Sequence, residues 1–216
     1  MRKTRWPVVL FDLDGTLANS IDLVVASYTH AFASVTGRAI TREQAKRWIG
    51  ETLAQTFARE DPTHAAALQD AYRARFNNHM DQIGGYPGLP QLLADLRAAG
   101  ATLGVVTSKR HDAALGTMRQ AGVEGLIELV GCMEDTAAHK PDPEPLLAAA
   151  AKLGVDPNSC AYVGDAVYDV KASRAAGMAS VIVTWGAGER QELSALKPDA
   201  LCDDVESLRD VLMPVR

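Results

Sequence analysis

Asp12 and Asp14 stand one residue apart in Phe11-Asp12-Leu13-Asp14-Gly15-Thr16, directly after the apolar run Val8-Val9-Leu10-Phe11. Two carboxylates this close repel one another and require a cation between or beside them. Gly15 lets the chain turn away sharply after the pair. An acidic turn that merely ends a strand would use the same residues, so the pair acquires chemical meaning only from what the rest of the chain brings to it.

The run before Asp12 is short, β-branched and aromatic, as a buried parallel strand is where it delivers residues to a sheet edge. Three similar runs follow: Leu103-Gly104-Val105-Val106 before Thr107, Cys160-Ala161-Tyr162-Val163 before Gly164-Asp165, and Ser180-Val181-Ile182-Val183 before Thr184. Helix-like segments lie between them, over Leu89 to Ala99, Asp112 to Ala121, Pro143 to Leu153 and Val167 to Ala176, each closed by a glycine. Alternation of this kind predicts βαβ units, hence an α/β fold with a parallel Rossmann-like sheet and helices on both faces. Ligands of such sheets bind beyond the carboxyl ends of the strands. Asp12, Thr107 and Asp165 all fall at those ends.

From Ser20 to about Met80 the pattern is helical only, with segments at Ile21 to Val35, Arg42 to Ile49, Leu53 to Arg59 and Ala65 to His79. This predicts an inserted α-helical cap over residues 18–83, with residues 1–17 and 84–216 forming the catalytic core. The return through Gly84-Gly85-Tyr86-Pro87-Gly88 suits a linker or hinge.

Composition bounds the function. The chain has 216 residues, 47% hydrophobic and 23% charged, enough for one full domain and a smaller insertion. A formal net charge of -5 lacks the basic footprint of nucleic-acid binding, so no nucleic-acid partner is expected. No apolar stretch reaches the roughly 18 residues of a membrane span, and the basic N-terminus is followed by too short an apolar run for a signal peptide. A cytoplasmic protein without membrane contact is expected. The three cysteines, Cys132, Cys160 and Cys202, are far apart and odd in number, which argues against a disulfide framework.

The segment Phe11-Asp12-Leu13-Asp14-Gly15-Thr16-Leu17 resembles the first motif of the haloacid dehalogenase superfamily in its phosphatase branch. The remaining motifs follow in order. Thr107 matches the hydroxyl residue of the second, Lys140 in His139-Lys140-Pro141-Asp142-Pro143 is similar to the family lysine, and Gly164-Asp165-Ala166-Val167-Tyr168-Asp169 resembles the fourth, acidic motif. The resemblance implies a Mg²⁺-dependent phosphatase acting on a small phosphorylated metabolite through a covalent aspartyl-phosphate. Asp12 would be the nucleophile and Asp14 the general acid and base. Thr107, Ser108 and Lys140 would hold the phosphoryl group. Asp12, the main-chain carbonyl of Asp14 and Asp165 would hold the metal, with Asp169 ligating it directly or through water. Such an assembly is what a weak carboxylate nucleophile needs, because positive charge must screen its approach to a phosphate dianion. Dehalogenase members use the first aspartate without the second and without a metal, so Asp14 together with Asp165 argues against carbon-halogen cleavage.

Arg47-Trp48-Ile49-Gly50-Glu51-Thr52-Leu53 is similar to a cap segment of phosphoglycolate phosphatases. Arg47 and Glu51 are thus candidate specificity residues, beside the alternative that this is a solvated helix face with Trp48 in the cap core. Val183-Thr184-Trp185-Gly186 and Lys197-Pro198-Asp199-Ala200 also resemble these phosphatases and their pyrophosphatase relatives. The leading single substrate is therefore 2-phosphoglycolate. The alternatives on the same scaffold are a sugar phosphomutase of the β-phosphoglucomutase type and an inorganic pyrophosphatase. The alternative of another class is a phosphoacceptor or binding protein without turnover. The sequence leaves the oligomeric state open.

Overall fold

Strand β1, Val8–Phe11, is buried along its whole length. Its alternate residues separate two apolar clusters, Val9 and Phe11 facing one and Val8 and Leu10 the other. The structure is a computed structural model and describes residues 3–214. After β1 the chain forms β2 (Ala18–Asn19), α1 (Ile21–Thr36), α2 (Arg42–Arg47), α3 (Leu53–Glu60), α4 (Ala65–Asn77) and β3 (Gly84–Gly85). It continues through α5 (Leu89–Ala98), β4 (Thr102–Val106), α6 (His111–Gln120), β5 (Glu128–Gly131), α7 (Glu144–Leu153), β6 (Cys160–Gly164) and α8 (Val167–Ala175). It ends with β7 (Ala179–Val183), α9 (Arg190–Ala195), β8 (Ala200–Cys202) and α10 (Val205–Leu212).

Six strands form one parallel sheet in the order β5-β4-β1-β6-β7-β8, the Rossmann-like α/β architecture that the alternating pattern predicts. Phe11 is in register with Val105 on one side and Val163 on the other, so the residues after all three strands emerge at one edge. From β1 the connection runs outward through β4 and β5, and from β6 it runs the opposite way. The crevice at the carboxyl ends of β1 and β6 is therefore the topological switch point of the sheet. Among the described residues no helix is long and apolar enough to cross a membrane.

Local signals explain most element ends. Thr41 and Thr52 each accept a hydrogen bond from the third helical residue and are answered by Gln44 and Gln55, so α2 and α3 start on capping boxes. Gly154 closes α7 with φ 68°, its N–H returning to Ala150 O, a conformation that other residues adopt only with strain.

Helices α1 to α4 gather on an aromatic cluster. Tyr28 lies 5.2 Å from Trp48, 5.5 Å from Phe57 and 4.8 Å from Tyr72 between ring centroids, each pair contributing about 0.5–1.5 kcal/mol beyond simple burial. The chain enters and leaves this helical layer through a two-stranded antiparallel ribbon, Ala18 pairing with Gly85 and Asn19 with Gly84. The glycine cluster read as a linker is thus partly a strand, too short to show any periodicity. Strands β5 and β8 also fall outside the runs recognised in the sequence. β5 begins on an exposed glutamate and β8 has three residues, so neither shows an apolar run long enough to mark a strand.

Candidate active site

Asp12 follows β1 directly, its amide donating to Val163 O at 2.8 Å, and this places a nearly inaccessible carboxylate, 4% exposed, at the switch-point crevice. Lys140, 1% exposed, brings its Nζ 3.0 Å from Asp12 Oδ1 and 2.7 Å from Asp169 Oδ1. It also donates to Tyr162 OH at 3.0 Å, and that hydroxyl donates in turn to Val106 O at 3.0 Å. An ammonium taken out of water costs several kcal/mol unless it is paired and hydrogen-bonded, and here two carboxylates and a phenol compensate it. Burial alone would depress the Lys140 ammonium, but Asp12 and Asp169 outweigh it and hold it well above the usual lysine range.

Asp169 is itself fixed by the start of α8, its Oδ2 accepting from the amides of Asp165 at 3.0 Å and Ala166 at 2.9 Å. A carboxylate is favoured there by the unpaired N–H groups of the first turn. Asp165 accepts from Thr16 Oγ1 at 2.8 Å and from the Ala187 amide at 2.6 Å. The backbone closes tightly around it. Gly15, with φ 76°, and Gly186 each leave no room for a Cβ against the Asp165 carboxylate. Trp185 Nε1 donates to Thr16 O at 3.3 Å and ties the loop after β7 to the loop after β1.

Oxygens of Asp12, Asp165 and Asp169 lie within 4.8 Å of one another, all three residues buried. One lysine cannot neutralise three carboxylates. Burial pushes Asp12 up to about 7 against the pull of Lys140, with Asp169 and Asp14 adding to the rise. Burial, then Asp169 and Asp12, likewise hold Asp165 well above the carboxylate range. Asp12 Oδ1 is near Lys140 Nζ yet is aligned with no hydrogen-bond donor. Hard oxygen donors with an excess of negative charge and an orphaned lone pair fit a hard divalent cation. Both oxygens of Asp165 and both of Asp169 already accept hydrogen bonds, so Asp12 Oδ1 is the oxygen of this group most open to direct ligation.

The Asp14 carboxylate stands apart from this trio. Gly15 turns the chain so that Asp14 borders a cavity of about 420 Å³ between the sheet edge and the helical layer, where Asp12 and Thr107 also lie. Asp14 Oδ1 accepts from Ser20 Oγ at 2.5 Å and Oδ2 is 2.9 Å from Lys109 Nζ. Thr107, buried, accepts from the Lys109 amide at 3.3 Å. Ser108 turns its hydroxyl away, donating to Gly50 O at 2.7 Å in the helical layer. Asp12, with Lys140 behind it, thus shares one cavity with Asp14 and Thr107, an arrangement that can present one carboxylate oxygen to an electrophile while a second carboxylate handles a proton.

The two specificity candidates fall elsewhere. Arg47 is exposed and does not border the cavity, because the next residue, Trp48, takes the inward direction and is buried against Tyr28 and Phe32. Glu51 borders the cavity, but its carboxylate is engaged by Arg59 Nη1 at 2.6 and 2.7 Å, Tyr168 OH at 2.6 Å and Thr56 Oγ1 at 3.0 Å. Since Tyr168 belongs to α8, Glu51 ties the helical layer to the sheet layer. Sequence reading overlooked Lys109, Tyr162 and Thr16 as site residues. A tyrosine inside a buried strand was the available signal, since its hydroxyl needs a partner. Lys109 and Thr16 carried none beyond adjacency to the motifs.

Comparison with known proteins agrees with this geometry. The family model of haloacid dehalogenase-like hydrolases matches residues 9–183. The chain is 33% identical over 210 residues to pyrophosphatase PpaX of Bacillus velezensis, covering 96% of this chain and 97% of that one. A hydrolase of Pseudomonas syringae superposes with a TM-score of 0.84 at 26% identity, covering 94% of this chain and 95% of that one. A Lactobacillus plantarum structure described as a candidate phosphoglycolate phosphatase superposes with a TM-score of 0.84 at 26% identity, covering 96% and 99%. With its motifs in order, its Rossmann-like sheet and this match over most of its length, the chain belongs to the haloacid dehalogenase-like hydrolases.

Proposed function

We propose that the protein is a Mg²⁺-dependent phosphatase of small phosphorylated metabolites that works through an aspartyl-phosphate on Asp12. The observation that carries this reading is the buried Asp12–Lys140 pair at 3.0 Å beside a cavity shared with Asp14 and Thr107. In this reading an Asp12 carboxylate oxygen attacks phosphorus and the bond from phosphorus to the leaving oxygen breaks, with Asp14 donating the proton that the leaving oxygen takes. Water then attacks the phospho-aspartate, giving its proton to Asp14, and the phosphorus–Asp12 bond breaks to release phosphate and restore both carboxyl groups. Thr107 and the Ser108 amide position the phosphoryl oxygens, and Lys140 offsets the charge shared by Asp12 and the transferring group.

Asp12, the Asp14 carbonyl and Asp165 would hold Mg²⁺, with Asp169 supporting from behind. Bound there, the ion would supply charge neutralisation for the phosphoryl oxygens. Residues 18–83 act as the cap over this site, and the ribbon of β2 and β3 is its tether. Pyrophosphate and 2-phosphoglycolate, the substrates suggested by the names of relatives, are the reference compounds for assay. Phosphate release from a panel of phosphomonoesters and pyrophosphate with Mg²⁺ tests the reading. Activity should fall on the order of 10³-fold or more in Asp12→Asn. Retained turnover in that variant would exclude the covalent route.

A further inference from the structure

The phosphatase reading leaves open the part of the substrate that departs, and the cavity above Asp12 bears on it. Its volume of about 420 Å³ is in the range filled by ligands of drug size, well beyond the bulk of pyrophosphate or phosphoglycolate. Apolar side chains dominate the walls away from Asp12, among them Ile49, Leu53, Tyr72, Phe76, Met80 and Met133. Tyr72 and Phe76 lie stacked, with centroids 6.0 Å apart and planes 9° from parallel.

Charge on those walls is already balanced. Among the described residues that border the cavity the cations are Arg73, Lys109 and Arg110, and each has a carboxylate partner. Lys109 Nζ is 2.9 Å from Asp14, and it also sits 3.9 Å above the Phe76 ring. Arg110 is 3.2 Å from Glu134, and Arg73 is 3.7 Å from Asp70 while donating to Gln69 at 2.9 Å. Asp14, Glu51 and Asp112 border the same space. A second phosphoryl group, or the carboxylate of phosphoglycolate, would lose its water there and meet these carboxylates, with Lys109 sequestered by Asp14 and with Arg73 and Arg110 drawn outward into exposed pairs.

We infer that the preferred substrate is a phosphomonoester of an alcohol whose remaining body is uncharged and apolar, of ring size, lodged against Phe76, Tyr72 and Met80. This rests on the phosphatase reading and narrows its substrate class. Burying one ring in such a wall should favour the ester by at least about 10-fold in kcat/KM over an equivalent small anion.

The test compares 2-phenylethyl phosphate, an alcohol ester without an activated leaving group, with 2-phosphoglycolate and pyrophosphate, using wild-type protein and Mg²⁺. The expected result is at least about 10-fold higher kcat/KM for the phenylethyl ester. Ala54→Arg, at an exposed position of α3 on the cavity rim, adds an unpaired cation and should shift the ratio about 10-fold towards the anionic pair. Equal or higher kcat/KM for 2-phosphoglycolate or pyrophosphate in the wild type overturns the inference while the phosphatase reading stands. Release of phosphate from none of the compounds would overturn both.

Discussion

Lys140 is the residue on which the buried charges depend. Its replacement by alanine leaves Asp12 and Asp169 without their ammonium, and unpaired buried charge typically costs about 3–5 kcal/mol. Urea denaturation of Lys140→Ala should show a loss of that order at pH 8 and a smaller one at pH 5, where the Asp12 carboxyl, raised by burial, escapes by protonation. Asp12 itself makes the metal-free protein sensitive to pH. Burial holds its carboxyl at about 7, above its unfolded value, so its contribution to stability is complete below the unfolded pKa and is lost as pH rises through about 7. Metal-free protein should therefore melt at a lower temperature at pH 8 than at pH 5 through this group. Mg²⁺ should raise the melting temperature more at pH 8, because the ion competes with protons for the same oxygens. Thermal melts with a chelator and with Mg²⁺ at both values check this. At this scale Asp12 and Asp165, each directly after a strand, and Asp169, in the first turn of α8, were legible in the sequence, while Lys140, in the loop before α7, was marked only by its resemblance to the family motif. Tyr162 was not, because its hydroxyl differs from its apolar neighbours in β6 only through the partners that folding provides.

The elements act through turns and tethers. Gly15 takes φ 76° beside the Asp165 carboxylate, so Gly15→Ala brings backbone strain of about 1–3 kcal/mol together with a collision against Asp165. Both a lower melting temperature and weaker Mg²⁺ binding by calorimetry are expected. The helical layer meets the sheet edge through Ser108 on Gly50 and through Tyr168 on Glu51, while the Lys46–Glu189 contact at 3.0 Å involves an exposed glutamate and contributes little. The double variant Ser108→Ala, Tyr168→Phe removes two hydrogen bonds of about 1 kcal/mol each. Amide exchange over residues 48–53 should then quicken about 10-fold or more, with the Rossmann-like sheet unchanged. The strands β1, β4, β6 and β7 and the helices between them were readable as apolar runs ending at glycine. β5 and β8 were not, because β5 opens on an exposed glutamate and β8 has only three residues, so each is defined by its neighbour in the sheet.

Over the whole molecule, a chain of net charge -5 buries three carboxylates at one sheet edge and sets a largely apolar cavity beside them. Filling that cavity from the exposed side should separate large from small substrates. Ala54→Phe is expected to lower kcat/KM for 2-phenylethyl phosphate by about 10-fold or more while changing that for 2-phosphoglycolate by less than about threefold, in parallel phosphate-release assays. Sequence alone determined the strand ends at Asp12, Thr107 and Asp165, and the helical character of the stretch after the first of them, because hydrophobic period and capping chemistry are local. It also set which residues could carry charge. Only the tertiary structure decided how those charges are spent. Pairing is a matter of distance through space: Arg59, Thr56 and Tyr168 engage Glu51, Lys109 engages Asp14, and Trp48 turns inward where Arg47 turns out. The contacts of Tyr168 with Glu51 and of Lys109 with Asp14 join residues from distant elements, so no window of sequence contains them.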